Sequence, residues 1–173
     1  MFRTGQVDVA WREPIAVTED LAKVPNTTLQ RCSDLPATTL GLTPDKPPFN
    51  DIRVRRAVSM AIDRAAVVKV VFRGNGDRLW VAIPHFAEPT YLQKEDYPPE
   101  VRQYLEYNPA EAKKLLAQAG YAQGLTTELN YTARYTNSPE IAEALNDQLS
   151  KVGINAKLRV WVDPAWSVDR DAE

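Results

Sequence analysis

A strand–helix–strand pattern between residues 126 and 161 constrains the fold of this chain more than any other feature of its sequence. Residues 126–132 and 154–161 have the length and side-chain alternation of strands, and the helix between them begins at Ser138-Pro139-Glu140 and ends at Gly153. The apolar side of that helix is formed by Ile141, Leu145, Leu149 and Val152. Two strands joined through one helix by short connections are parallel, with a right-handed crossover. The sequence therefore predicts an α/β fold with a βαβ-containing mixed sheet flanked by helices.

Two consecutive helices are predicted upstream of this unit. Asn50 is a suitable N-cap for the first, and Phe49 before it has the spacing to pack on Val54 as a hydrophobic staple. Asp63 is a suitable N-cap for the second, which Gly74-Asn75-Gly76 ends. The predicted apolar face of the first helix comprises Val54, Ala57, Val58, Ala61 and Ile62, and that of the second Val67, Val70 and Val71.

A third helix has the clearest start signal in the chain. Asn108 stands at the N-cap, Pro109 at the first helical position and Glu111 at the third, and Gly120 stands where a helix commonly ends. Its predicted buried stripe is Ala112, Leu115, Leu116 and Ala119.

The remaining segments carry weaker signals. Residues 6–11 alternate apolar and polar side chains and predict a strand, residues 12–36 have no clear period, and residues 38–42 are prone to form a strand. Residues 44–48 form a proline-rich bend. Residues 77–100 contain four prolines and predict a long loop, and residues 167–173 resemble a frayed end.

Charge and composition exclude several classes of function. The net charge is −2, which does not favour nucleic acid as a partner. The single Cys32 excludes an internal disulfide and has no motif of a nucleophile, and His85 has no second ligand at metal-binding spacing. We therefore expect no catalytic residues, no metal and no cofactor. Residues 1–5 show no secretory signal, and no apolar run approaches the length of a membrane span.

Three segments carry a recognisable pattern: residues 46–57 (KPPFNDIRVRRA) continuing to 61–64 (AIDR), residues 107–121 (YNPAEAKKLLAQAGY) and residues 148–154 (QLSKVGI). Together they resemble the extracellular solute-binding proteins of ABC importers, family 5, which serve oligopeptides, dipeptides and nickel. Residues 5–10 are also similar to the last strand of that family's first lobe.

The resemblance implies a part of one lobe of a type II periplasmic-binding-protein fold. It assigns residues 1–36 to the end of the first lobe and its exit, residues 37–49 to a hinge strand and the proline bend, residues 50–163 to a partial second lobe, and residues 164–173 to a tail. The protein it implies is a noncatalytic receptor, periplasmic or extracellular, that delivers a peptide to membrane permease subunits. Nickel, haem and oligosaccharides are the family's other solutes. A separate interpretation is a stand-alone α/β domain that binds another protein.

Ligands of open α/β sheets lie beyond the carboxyl ends of the strands. The candidate cleft residues after the strand 126–132 are Thr132, Arg134, Tyr135 and Asn137, with Thr38 and Leu40 added by resemblance to the hinge. The alternative for the loop is an ordinary connection in which Asn137 or Ser138 caps the next helix, and for the hinge residues a plain strand. Because one lobe supplies only half of a cleft, we expect the isolated chain to bind peptides weakly and to self-associate through uncovered apolar surface.

Four arginines form a basic cluster near the first helix, namely Arg53, Arg55, Arg56 and Arg64. A solvated face balanced by Asp51 and Asp63 is the simpler interpretation, and a docking face for nucleic acid or a permease is the other.

Overall fold

The computed structural model describes residues 2–10, 13, 15–30, 38–76, 93–133, 135 and 137–161. The chain divides into two compact units, residues 1–34 and residues 35–173. The first unit contains α1 (Ile15–Leu21), and the second contains the other helices and both described strands. In chain order these are α2 (Ile52–Ala61), α3 (Arg64–Val71), α4 (Pro99–Arg102), α5 (Pro109–Gln118), β1 (Leu125–Thr132), α6 (Ser138–Ser150) and β2 (Ile154–Trp161).

The predicted βαβ unit is confirmed. β1 and β2 are parallel neighbours, in register from Leu125 opposite Ile154 to Thr132 opposite Trp161. Both strands contact α6, and Leu125, Leu129 and Ile154 are buried. Within the described residues the sheet consists of this parallel pair. The predicted apolar alternation of β2 weakens at its end, because Val160 is 52% exposed.

The N-cap of α2 lies one residue later than predicted. Asp51 is the cap, and its carboxylate accepts a hydrogen bond from the Arg53 backbone N–H at 2.8 Å. Asn50 belongs to the preceding proline turn, since its backbone N–H donates to the Lys46 carbonyl at 2.9 Å. With Asp51 as the cap, Phe49 and Val54 no longer have the N′ to N4 spacing of a staple, although Phe49 does pack against the core cluster to which Val54 belongs.

The start and stop of α3 are confirmed, whereas its buried stripe is not. The Asp63 carboxylate accepts from the Ala66 N–H at 3.0 Å. Gly74, with φ of +79°, donates its N–H to the Val68 carbonyl at 3.0 Å and ends the helix. No residue of α3 is fully buried, and Val70 is 73% exposed.

The predicted start, buried face and end of α5 are confirmed. The Asn108 side chain accepts from the Glu111 N–H at 3.1 Å, and Pro109 opens the helix. Ala112, Leu115 and Leu116 are buried, while Ala119 is partly buried. Gly120 has the positive φ, +94°, that a helix end of this kind requires.

The hydrophobic core lies where α2, α5 and the βαβ unit meet. Its buried residues include the predicted apolar face of α2 and three of the four residues of the α5 stripe. The whole cluster is Val54, Ala57, Val58, Met60, Ala61, Ile62, Ala112, Leu115, Leu116, Leu125, Leu149, Val152 and Ile154. No polar or charged residue is buried among the described residues.

Three predictions for the first 43 residues are wrong. Residues 6–10 form no strand, and Val9 is 70% exposed. Residues 15–21, predicted as irregular, form α1. Residues 38–43 have no regular secondary structure, so the predicted hinge strand is not formed there. A strand needs a hydrogen-bonded neighbour, and the described strands pair only with each other.

Several predictions fall outside the described residues. These concern Trp11, Cys32, most of the long loop (77–92, including His85), and the tail from 162 onwards. The last part of that predicted loop, residues 93–100, is described: it contains a short 3-10 turn at Lys94–Asp96 and the start of α4, and a second 3-10 turn, Gln103–Leu105, follows α4. The domain boundaries drawn from the resemblance stay predictions.

Gln148, on α6, forms hydrogen bonds with the backbone of Asp63 at the junction between α2 and α3. The Asp63 N–H donates to Gln148 Oε1 at 2.7 Å, and Gln148 Nε2 donates to the Asp63 carbonyl at 3.4 Å. We expect Gln148→Ala to lower the free energy of unfolding by about 1–2 kcal/mol, because the Asp63 N–H loses its acceptor, whereas the Asp63 carbonyl keeps the Val67 N–H at 3.1 Å. Urea unfolding followed by circular dichroism measures this change.

The matched control is Gln123→Ala, since Gln123 is exposed in the turn before β1. Its expected change is within about 0.5 kcal/mol. Equal losses of unfolding free energy in the two variants would show that the hydrogen bonds between Gln148 and the Asp63 backbone contribute no specific stability.

Candidate ligand-binding edge at the ends of the parallel strands

The carboxyl ends of β1 and β2 lie at the same edge of the sheet. Thr132, the last residue of β1, is in register with Trp161, the last residue of β2. α6 begins at Ser138, only six residues after Thr132, so its first turn follows directly on this edge. Parallel sheets place ligands beyond such an edge, because loop side chains and backbone groups there are not used by the ladder.

The loop between β1 and α6 presents polar groups to solvent. Tyr135 is 61% exposed, and its carbonyl accepts from the Ser138 N–H at 3.2 Å. Asn137 occupies the N-cap position with φ of +68°, and its carbonyl accepts from the Ile141 N–H at 2.9 Å. Its side chain makes no capping hydrogen bond. Asn137 is thus the N-cap residue, as the alternative interpretation has it, but the cap is made by its backbone and not by its amide. Arg134 lies outside the described residues.

The outer face of the two strands adds groups that the sequence analysis did not select. Arg159 Nη1 lies 2.8 Å from Glu128 Oε2, and its guanidinium carbon lies 6.0 Å from the centre of the Trp161 ring. Asn130 is exposed and in register with Arg159. The sequence predicts the parallel pairing that places the end of β2 beside the end of β1, but not the register that brings Arg159 to Glu128.

The two hinge candidates are not equivalent. Thr38 is exposed in a segment without regular secondary structure. Leu40 is half-buried and packs against the hydrophobic core, beside which Leu42 and Phe49 also pack. Leu40 thus has a structural role, and a cleft role for either residue stays a prediction.

The arginine cluster is only partly balanced by acids. Arg53 Nη2 lies 2.6 Å from Asp51 Oδ2, and this contact with Arg53 holds the pKa of the Asp51 carboxyl below its ordinary value. Arg53 also donates to the Gln118 carbonyl at 2.6 Å, which joins α2 to the end of α5. Arg55 donates to the Phe49 carbonyl at 2.7 Å. The predicted balance by Asp51 is confirmed for Arg53, whereas Asp63 serves as a helix cap.

Other kinds of site find no support in the described part of the chain. No group of three His, Cys, Asp or Glu side chains comes together there as metal ligands. None of the described helices is long and apolar enough to cross a lipid bilayer. An open hollow lined by Arg3, Asp20, Lys23, Val24 and Pro25 lies within residues 1–34, and the Asp20–Lys23 ion pair of 3.0 Å is part of its wall. It presents no convergent donor set, so the strand edge is the stronger candidate.

Known proteins resemble this chain over most of its length. Glutathione-binding protein GsiB of Salmonella choleraesuis (strain SC-B67) is 28% identical over 158 residues, which is 91% of this chain and 29% of GsiB. The structure of HbpA2 from Haemophilus parasuis superimposes with a TM-score of 0.70 and 29% identity, covering 98% of this chain and 32% of HbpA2. DppA from Helicobacter pylori, solved with the peptide STSA, gives a TM-score of 0.62 and 30% identity over 72% of this chain and 22% of DppA.

The chain thus spans less than a third of the length of these relatives. GsiB and DppA are named as binding proteins, and the likeness to the DppA and HbpA2 structures supports the predicted type II periplasmic-binding-protein fold. The sequence profile of the bacterial extracellular solute-binding proteins, family 5 Middle, matches residues 1–172. This chain therefore belongs to the family 5 bacterial extracellular solute-binding proteins.

Proposed function

We propose that this chain forms part of the solute receptor of an ABC importer and supplies one face of a cleft that holds a peptide. The observation that carries the proposal is the family match over residues 1–172. In this role the chain is noncatalytic and acts outside the cytoplasmic membrane. It hands its solute to membrane permease subunits, as part of a longer receptor.

The polar edge at the ends of β1 and β2 supports this role. An extended peptide offers backbone N–H and C=O groups, which need short polar side chains at close range. The Asn137 amide can both donate to and accept from such groups, and the Tyr135 ring offers a flat apolar surface with a hydroxyl. Thr132 completes a short row of hydrogen-bonding residues that follows the end of one strand.

The choice of a peptide as the solute is supported by the relatives. GsiB is named for glutathione and DppA was solved with a tetrapeptide. The peptide class is proposed on the likeness to these two relatives. Self-association of the isolated chain also stays a prediction, which the exposed Val70 and Val160 make physically reasonable.

The test is a titration of the isotope-labelled 173-residue chain with glutathione and with the tetrapeptide Ser-Thr-Ser-Ala, followed by amide NMR shifts. We expect saturable shifts centred on Thr132, Tyr135 and Asn137, with a Kd above about 1 mM. The affinity is expected to be weak because one face alone supplies few contacts while the peptide still loses its freedom of motion.

The double variant Tyr135→Ala/Asn137→Ala is expected to lose these shifts. Tyr107→Ala is the matched control, because Tyr107 is 48% exposed and precedes α5, away from the loop between β1 and α6. Its Kd should stay within about twofold of the parent value. Three results would contradict the proposal: no shifts at peptide concentrations about 20-fold above 1 mM, shifts centred on other residues, or binding with a micromolar Kd.

A further inference from the structure

Two arginines, Arg56 and Arg64, lie beside the Gln103–Leu105 turn. Arg56, on α2, places its guanidinium carbon 4.2 Å from the centre of the Tyr104 ring. Arg64, the first residue of α3, donates from Nη1 to the Ser59 carbonyl at 3.3 Å and to the Leu105 carbonyl at 3.4 Å. Within the described residues neither arginine forms an ion pair, unlike Arg53.

A single serine holds the group together. Ser59 Oγ donates to the Tyr104 carbonyl at 2.7 Å and accepts from Arg64 Nη2 at 3.1 Å. Arg56, Ser59, Arg64 and Tyr104 therefore form one connected surface, which we name the Arg56–Arg64 face. Its partners on the protein side are all neutral: two carbonyls, a hydroxyl and an aromatic ring.

Arg64 keeps hydrogen-bonding capacity that the described residues do not use. A guanidinium has five N–H donors, and the described contacts occupy Nη1 and one hydrogen of Nη2. Nε finds no acceptor there. Nε together with Nη2 is the edge that binds a carboxylate through two parallel hydrogen bonds, as Arg53 binds Asp51.

The neighbouring acids are already engaged. Asp63 caps α3 through the Ala66 N–H, and Glu106, which follows Leu105, forms an ion pair with Lys94. Burial also lowers the pKa of the Arg64 guanidinium, so this cation has lost part of its hydration without gaining an anion. Charges in that state are normally paired, which indicates that the anion comes from outside the described residues.

We propose that the Arg56–Arg64 face binds a carboxylate side chain, Asp or Glu, on the surface of a partner protein. Two cations match a single carboxylate. Asp63 is next to Arg64 in the chain, and Glu106 is next to Leu105, whose carbonyl Arg64 contacts. An extended anionic surface such as a lipid headgroup layer or a nucleic acid would meet those acids and the net charge of −2. The inference is independent of the peptide cleft, since the two groups of residues do not overlap.

The test uses the 173-residue chain with 15N-labelled arginine and follows the Arg56 and Arg64 Nε–H signals by NMR. The probe is an N-acetylated, C-amidated peptide Ala-Glu-Ala-Glu-Ala, and the control peptide carries Gln in place of Glu. We expect saturable shifts of both Nε–H signals with the Glu peptide, and an affinity that falls as salt is raised. The Gln peptide should cause none.

Three variants assign the effect. Arg64→Lys keeps the charge but loses the two-donor edge, and Arg56→Gln removes the second cation; each is expected to weaken binding at least about tenfold. Lys69→Gln is the matched control, because Lys69 is an exposed cation on α3 outside the Arg56–Arg64 face, and it should change affinity less than about twofold. If Arg64→Lys fails to fold by circular dichroism, Arg56→Gln alone decides.

Four results would overturn the inference. They are an unchanged affinity in Arg56→Gln, an equal loss in Lys69→Gln, saturation by acetate at the same carboxylate concentration, or binding to phosphatidylglycerol vesicles in preference to the Glu peptide. Saturation by acetate would indicate a small-anion site, and vesicle binding a membrane contact.

Discussion

Leu116→Ala should lower the free energy of unfolding of this chain by about 2–5 kcal/mol. Leu116 is 1% exposed and is among the largest fully buried side chains of the core. It lies on α5, which packs against α2, and its neighbours are themselves well buried. The loss has two parts. The removed methyl groups no longer contribute their free energy of transfer from water into the core, and the surrounding helices cannot fill the cavity that is left.

Urea unfolding followed by far-UV circular dichroism measures this loss, with Val70→Ala as the control. Val70 lies on α3 and is 73% exposed, so its truncation removes little buried surface, and alanine is the better helix former. We expect a change within about 0.5 kcal/mol for this variant. A comparable loss in both variants would mean that the α2–α5 interface is not the main source of stability.

The elements predicted correctly from the sequence are those whose signals are local. In α5, Asn108, Pro109 and Gly120 each specify a helix end through their own backbone or side-chain chemistry, and all three act as predicted. The same holds for Asp63 at the start of α3. For these residues no distant partner is needed, so the sequence is sufficient.

The elements predicted wrongly depend on distant partners. Alternation in residues 6–10 favours a strand only if a second strand lies beside it, and none does within the described residues. The stripe of α3 has the right period, yet Val70 stays exposed because no described element covers it. Periodicity indicates which side of a helix is apolar, but it does not supply the surface that buries it.

The candidate site divides in the same way. The loop after β1 could be selected from the sequence because ligands favour the ends of parallel strands. The contact between Arg159 and Glu128 could not, since it depends on the register of two strands that are about thirty residues apart in the chain. Asn137 shows a third case: its position at the N-cap was predictable, but its positive φ and uncapped amide were not.

Gly124→Ala should lower the free energy of unfolding by about 2–4 kcal/mol, through strain and a lost strand contact together. Gly124 has φ of +90°, a conformation that residues with a Cβ rarely adopt. A Cβ at this position would lie 2.8 Å from the Gly153 carbonyl oxygen. That oxygen accepts the Leu125 N–H at 2.9 Å, so relief of the clash disturbs the first hydrogen bond between the two strand starts.

Two further glycine variants separate the effect of backbone strain from that of the close contact. Urea unfolding measures the free energy of unfolding of these two variants and of Gly124→Ala. Gly120→Ala meets the same positive φ in open space, so only strain remains and the expected loss is about 1–2 kcal/mol. Gly41 has neither a positive φ nor a close neighbour, and Gly41→Ala should change stability by less than about 0.5 kcal/mol.

The order of these three losses tests how β1 and β2 are aligned. If Gly124→Ala costs no more than Gly120→Ala, the close approach of Gly124 to Gly153 does not hold the strands in register. The pairing of Thr132 with Trp161 at the other end would then lose its support, because register errors at the start of a parallel pair carry through to its end. A larger loss in Gly124→Ala, accompanied by faster amide exchange at Leu125, means that two glycines at one end of the sheet fix the geometry of the candidate edge at the other.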